Sequence, residues 1–381
     1  MDFSWSDEQR ELFQAVSAFA RKELNEGLIE RDREAVFNRA GWKQCGQVGL
    51  PGLTVPAELG GTGADALTAV GVLEKLGYAC RDNGLTFSLN AHLWTACMPL
   101  AEFGADEQKR KFLPKLCGGE WIGGNAMSEP GSGSDAFSMR TTAEKRQGRY
   151  VLNGGKTWVT NAPVADVLVV YATIDPAKGA AGVTAFLVEK DAPGFTVGRK
   201  LDKMGLRTSP MAEVFFDNCE IPEENLLGKE GSGSQLFTRS MTWERGCILA
   251  SAVGSMQRLL ETSIKHARER KQFGQAIGKF QQVSSRIVDM KLRLETARRL
   301  LYHTAWLRDQ GKGSVMEAAL VKLHISEAWV KTCEDAIQIH GGYGYMTESE
   351  IERELRDAIG SRIYSGTSEI QRNLVAALLG L

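Results

Sequence analysis

Apolar positions along the chain fall into three regimes. Near the N-terminus Leu12, Phe13, Val16, Phe19, Ala20 and Leu24 recur at the three- and four-residue steps of one helix face. Ser6-x-x-Gln9 ahead of them has the form of a capping box. Helical patterning continues to about Cys117. From about Trp121 the period shortens: RYVLNGGKTWVT, VLVVYATI, GVTAFLVEK and AEVFFDNCEIP are β-rich runs separated by Gly, Pro, Asn and Asp. Turn spacing this regular predicts a compact antiparallel sheet or barrel. After the glycine- and serine-rich stretch from Gly228 to Ser234, helical spacing returns and holds to Leu381. One helix is predicted from about 282 to 310, stopped at Gly311, and the next is opened by the capping box Ser314-x-x-Glu317. Helices, then strands, then helices make an α+β multidomain chain, divided at 1–121, 122–228 and 229–381. This is not the strand–helix alternation of a Rossmann or TIM fold.

The glycine clusters agree. Gly60-Gly61-Thr62-Gly63 and Gly131-Ser132-Gly133-Ser134 match neither a P-loop nor the dinucleotide fingerprint. Each reads as a tight turn, or as a turn whose exposed N–H groups meet a phosphate. The 46 basic and 47 acidic residues nearly cancel, so no global field recruits nucleic acid or an anionic membrane. Seven scattered cysteines without a CxxC pair argue against a disulfide framework or a zinc site and suit a reducing cytoplasm. No apolar run approaches the roughly 18 residues that a spanning helix needs, so a soluble, unexported protein without membrane partners is expected.

Candidate chemistry is narrowed by what is missing. The five histidines show no HxxH or HExxH spacing, no GxSxG elbow is present, and no cysteine has an activating neighbour. Near the C-terminus, IYSGTSEIQ is a hydroxyl-rich turn shaped to hold something, yet Ser365 has no His or Lys beside it to make it a nucleophile.

Six further segments carry more information together than singly: AMSEPGSGSD (126–135), NGGKTWVTN (153–161), ERKQFGQAIGKFQ (269–281), QIHGGYGY (338–345), LRDA (355–358) and IYSGTSEIQR. In this order and at these separations they resemble the acyl-CoA dehydrogenase family of flavoproteins, and the resemblance spans nearly the whole chain, from EQRELFQ and VPAELGG to the last helix. It implies an N-terminal helical domain, a middle β domain and a C-terminal helical bundle enclosing FAD and an acyl thioester. By family correspondence Met127 (through its backbone), Ser128 and Thr160 approach the flavin ring, Trp158 packs over one face, and Gly133 and Ser134 lie near the pyrophosphate. Thr367 and Glu369 of the hydroxyl-rich turn are family FAD contacts too. Arg270, Phe273, Gln281, Gln338 and the backbone of His340, Gly341 and Gly342 would reach the adenosine and diphosphate of a neighbouring subunit, which implies a homotetramer. Without the resemblance, HARERKQFG reads as a solvated charged face.

Family members remove the α proton of the thioester with a carboxylate, often a Glu immediately before the Gly-Thr of the C-terminal turn. Here that residue is Ser365. A minority, including isovaleryl-type and long-chain-type members, carries the base at the position of Glu244 with a small residue in the turn, and this sequence shows that exchange. Glu244 is therefore the expected base, with the Ser365 N–H bonding the thioester carbonyl and Ser365→Ala expected to change little. Arg245 either tunes the base or makes a structural salt bridge. Cys80 to Thr95 should form a helix lining the acyl pocket, where Asn90 and His92 either address a polar acyl group or pack in the core. The segment looks more like relatives from natural-product pathways that act on carrier-bound acyl or aminoacyl groups. Acyl-CoA and a phosphopantetheinylated carrier protein both remain as substrates, and an electron-transfer flavoprotein or O2 as acceptor. A flavin oxidase or monooxygenase, and a non-catalytic protein on the same fold, are the competing classes.

Overall fold

A computed structural model describes residues 4–381. Its first third is helical: α1 (Asp7–Glu23), α2 (Leu28–Arg33), α3 (Arg39–Gln47), α4 (Ala66–Ala79), α5 (Asn83–His92), α6 (Met98–Phe103) and α7 (Asp106–Cys117). The predicted capping box starts α1, with Gln9 N–H donating to Ser6 Oγ at 3.2 Å and Ser6 N–H donating to Gln9 Oε1 at 2.9 Å. Its buried face is Phe13, Val16 and Ala20, packed on α4, whereas Leu12, counted with that face in the sequence, is exposed. A π-helical turn, Leu93–Cys97, joins α5 to α6, so the two run on as one buried helix behind the β domain.

The strands are β1 (Gly123–Ala126), β2 (Thr142–Arg146), β3 (Arg149–Thr160), β4 (Val167–Thr173), β5 (Val183–Glu189), β6 (Phe195–Lys200), β7 (Met211–Pro222) and β8 (Leu226–Leu227). They form one sheet in the order β6-β7-β3-β2-β4-β5-β8, with β1 added on β4. The expectation of an antiparallel sheet needs correction. β1 pairs with β4 in parallel, and β2 meets β4 in parallel at Thr142↔Thr173, because the β2–β3 hairpin returns the chain before β4 begins. Every residue of β4 is buried, since its two faces serve different cores. Val167, Val169 and Tyr171 pack with the helices; Leu168, Val170 and Ala172 fill the interior of the β domain.

The last third comprises α8 (Gly233–Cys247), α9 (Ala250–Glu269), the hairpin β9 (Lys271–Gln272) and β10 (Gln275–Ala276), α10 (Gln281–Asp309), α11 (Val315–His340), α12 (Gly342–Tyr345), α13 (Ile351–Ile359) and α14 (Ser368–Leu378). Gly311, at φ +68°, follows α10 where the sequence places its stop, and Ser314 caps α11. The first and last thirds share one hydrophobic core. At their junction α4 crosses α9 with glycine on both sides: a Cβ on Gly77 would lie 2.0 Å from the Ser251 carbonyl oxygen, and one on Gly254 2.0 Å from that of Glu74. The buried carboxylate of Glu74 is held by Arg298 Nε at 2.9 Å and the Tyr302 hydroxyl at 2.7 Å, both from α10.

Candidate active site

Glu244 lies in the last turn of α8, four residues before the helix breaks at 248–249 and resumes as α9. Its side chain is buried, not the surface carboxylate an arbitrary helical Glu would be. The Ser365 hydroxyl donates to Oε1 at 2.5 Å, while Oε2 is buried without a partner. Burial pushes the Glu244 carboxyl above the usual range; the Ser365 hydrogen bond and the charges of Arg245 and Lys322 pull against it. Tyr171 of β4 and Tyr364 also face this charge, and their phenols are raised by burial and then by Glu244.

The turn that brings Ser365 to Glu244 is held by its carbonyls. Ser365 has φ +58°, a left-handed conformation that costs a non-glycine residue about 1–2 kcal/mol, and Gly366 follows at +88°. The Ser365 carbonyl accepts from Arg245 Nε at 2.9 Å and Gln371 Nε2 at 3.2 Å. The Gly366 carbonyl accepts from Lys322 Nζ at 2.6 Å and Gln371 Nε2 at 2.9 Å. Thr367 then caps α14 by accepting from the Ile370 N–H. Arg245 thus makes a bond to the turn backbone and no ion pair among the described residues. Lys322 and Gln371 were missed in the sequence. The signal for Lys322 was its spacing: Ala318, Ala319, Ile325, Ser326 and Trp329 share its helix face, and all are buried.

Of the two roles left open for Asn90 and His92, the structure shows the internal one. Asn90 Nδ2 donates to the Thr86 carbonyl at 2.8 Å and to Ser251 Oγ at 3.0 Å, and its Oδ1 accepts from Trp94 Nε1 at 2.9 Å. His92 is fully buried, with Nδ1 accepting the Gly123 N–H at 2.8 Å and Nε2 lying 3.1 Å from Cys97 Sγ. Both are committed inside the protein, so neither has a polar atom left for an acyl group. The α5 residue beside the turn is Phe87, whose ring centroid is 4.5 Å from that of Tyr364. With Thr86, Ile248, Leu249 and Trp329 they line a cavity of only about 10 Å³, room for one water at most. Trp243, next to Glu244, stacks on Trp94 at 5.6 Å and carries Arg308 on its ring.

The residues expected to hold a flavin form separate groups. Met127 and Ser128 leave β1 beside the β3 bulge, where the Thr157 N–H donates to the Ser128 carbonyl at 2.9 Å. The bulge puts Trp158 at φ +55° with 56% of its surface exposed, and Thr160 closes the strand. Beneath them Lys156 Nζ pairs with Glu129 at 2.8 Å and reaches the Met127 carbonyl at 3.1 Å. Gly133 and Ser134 lie in an exposed turn, where a Cβ on Gly133 would meet nothing within 4 Å. Thr367 and Glu369 stand at the N-terminus of α14. In the last third, Arg270, His340, Gly341, Gly342 and Tyr343 line a cavity of about 550 Å³, with Gln338 exposed nearby on α11. Phe273, at the tip of the β9–β10 hairpin, is 94% exposed, and Gln281 begins α10. Two large aromatic faces left uncovered by this chain, an open glycine turn and a helix N-terminus suit a planar ring joined to a diphosphate. These residues fit FAD. No group of His, Cys, Asp or Glu among the described residues could hold a metal ion, and no helix among them is long and apolar enough to cross a membrane.

Comparison with known proteins matches residues 6–120 to the acyl-CoA dehydrogenase N-terminal domain, 124–219 to the middle domain and 231–380 to the C-terminal domain. The chain belongs to the acyl-CoA dehydrogenase family. Among relatives of this acyl-CoA dehydrogenase family member, an L-prolyl-[peptidyl-carrier protein] dehydrogenase of Pseudomonas fluorescens is 44% identical over 382 residues, covering 100% of both chains. The solved structure of the prolyl acyl carrier protein oxidase AnaB is 51% identical, with a TM-score of 0.98 over 99% of this chain and 100% of that one. PigA, solved with FAD and proline, is 42% identical with a TM-score of 0.97, covering 100% of each chain.

Proposed function

We infer that this chain is an FAD-dependent α,β-dehydrogenase of a small aminoacyl group, prolyl in the first instance, presented as a thioester on a phosphopantetheinylated carrier protein. The observation that carries the reading is the buried Glu244 carboxylate, with one oxygen bonded to Ser365 and the other free. The named functions of the relatives supply the acyl group and its carrier.

Glu244 takes the α proton, which the neighbouring thioester carbonyl acidifies. The free Oε2 is the proton acceptor, while the Ser365 hydroxyl fixes the carboxylate through Oε1. With the Ser365 and Gly366 carbonyls drawn back by Arg245, Lys322 and Gln371, the N–H side of the turn is offered to the thioester oxygen, where charge grows as the proton leaves. When bound, FAD supplies the two-electron acceptor for the β hydrogen, and the α,β double bond closes the electron balance. Trp158, Ser128 and Thr160 orient that ring, and Arg270, Phe273, Gln281, Gln338, Gly341 and Gly342 hold the nucleotide of a neighbouring copy in a homotetramer. Seven buried free thiols suit a reducing, cytoplasmic setting.

A second reading concerns only the electron acceptor. The relative AnaB is named an oxidase, which favours O2 over an electron-transfer flavoprotein.

The test is anaerobic bleaching of the bound flavin by prolyl-carrier thioester. Wild type should bleach, and Glu244→Gln should keep its flavin yet lose nearly all of the reaction. Comparable bleaching by Glu244→Gln would defeat the assignment. Reoxidation of the bleached enzyme by air, compared with an electron-transfer flavoprotein, selects the acceptor.

A further inference from the structure

We propose that Lys322 is a positioning residue for proton abstraction: its buried ammonium fixes the Gly366 carbonyl and supplies a positive charge behind Glu244, which favours the ionised form of the base against the effect of burial. The proposal rests on Glu244 acting as the base. Lys322 is fully buried and makes no ion pair among the described residues; its one hydrogen bond is to the Gly366 carbonyl, at 2.6 Å. Burying an ammonium without a counter-ion is costly, and a methionine would fill the same volume. The charge therefore calls for a purpose that packing does not supply.

The neighbours of Lys322 point to Glu244. The charged groups facing it are Arg245, Glu244, Glu327 and Glu369. Glu327 is engaged by Arg362 and by the Ser368 hydroxyl, both at 2.7 Å, and Glu369 is exposed beside Arg372. Glu244 is the one carboxylate of the three that is both buried and without a cation at contact distance. Facing Glu244 in turn are Arg245 from α8, Lys322 from α11, Ser365 and Tyr364 from the turn, and Tyr171 from β4. Two cations thus stand on successive carbonyls of the turn, each joined to it by its own hydrogen bond. A cation near a buried carboxylate favours its charged form, and a one-unit change in its titration corresponds to tenfold.

The test compares Lys322→Met, Lys322→Gln and Lys322→Arg with wild type. Ionisation of the Glu244 carboxyl is followed by isotope-edited infrared titration in the flavin-free and the loaded protein, and melting temperature is recorded alongside. Methionine should raise the Glu244 midpoint by about one pH unit or more, and arginine should restore it. In the loaded protein, flavin bleaching by prolyl-carrier thioester should fall about tenfold on the acid limb of its pH profile in the methionine variant and recover as pH rises. Should methionine prevent folding, the glutamine variant, which keeps a donor for Gly366 and removes the charge, carries the same expectation. An unmoved midpoint in a folded methionine or glutamine variant, whatever its melting temperature, would overturn the proposal. Activity surviving in Glu244→Gln would instead remove the functional reading, while the infrared titration still reports whether Lys322 sets the ionisation of that carboxyl.

Discussion

The hydroxyl of Ser365 donates to Oε1 of Glu244 at 2.5 Å across 121 positions of sequence. The residue that stands at the family's turn carboxylate is therefore bonded to the carboxylate proposed here as the base. A donor to the ionised form lowers a carboxyl's pKa, so Ser365→Ala should move the acid limb of the pH–bleaching profile upward by about one unit. The plateau at higher pH should be unchanged. This refines the simpler expectation that alanine changes little, and an acid limb left in place in the alanine variant would contradict it.

Trp158 sits at φ +55° on an outward bulge with most of its ring uncovered. Glycine at this position relieves a left-handed strain of about 1 kcal/mol but removes the aromatic face. Trp158→Gly should therefore melt at the same or a higher temperature than wild type when both lack flavin. It should also hold FAD at least about tenfold more weakly, equivalent to about 1.4 kcal/mol. Flavin absorbance after gel filtration and a thermal scan read the two effects separately.

His92 is buried as the neutral imidazole. Because Nδ1 accepts the Gly123 N–H, the proton is on Nε2. Burial pushes its pKa down from 6.5 to about 3. Between those values the unfolded chain binds the proton and the folded one does not, so stability falls as pH drops below about 6.5. The loss should reach about 2 kcal/mol at pH 5. His92→Asn, whose Oδ1 stands where Nδ1 accepts from Gly123, should flatten that slope, as urea unfolding at pH 5 and pH 7 would show.

Elements with strong periodicity or caps were legible in the chain. The Ser6 box, the Gly311 stop and the four longest strands stand where the spacing of apolar residues puts them, to within a residue or two. β1 (GGNA) and β2 (TAEKR) were not, because neither alternates and β2 buries only Ala143; both are strands by virtue of their neighbours. The parallel β1–β4 pairing depends on where a hairpin lies in three dimensions, which no local pattern encodes. Of the candidate site, Glu244 and Ser365 were singled out by their reciprocal exchange, and the structure brings the two side chains into contact. Asn90 and His92 kept two roles open, since a polar residue on a buried helix looks the same in sequence whether it serves a ligand or a neighbouring backbone. Lys322 and Gln371 act on main-chain carbonyls more than 40 and about five residues away respectively, and motif spacing records only the side chains that do chemistry.

The facing glycines of α4 and α9 set a limit on how this enzyme can vary. With backbone against backbone at Gly77 and Gly254, neither helix has clearance to translate along the other. With α5 lining the acyl pocket, as the family resemblance implies, a different acyl group would be accommodated by exchanging side chains there and around Tyr364. Respacing the scaffold is closed off unless both glycines and the Glu74 anchor change together.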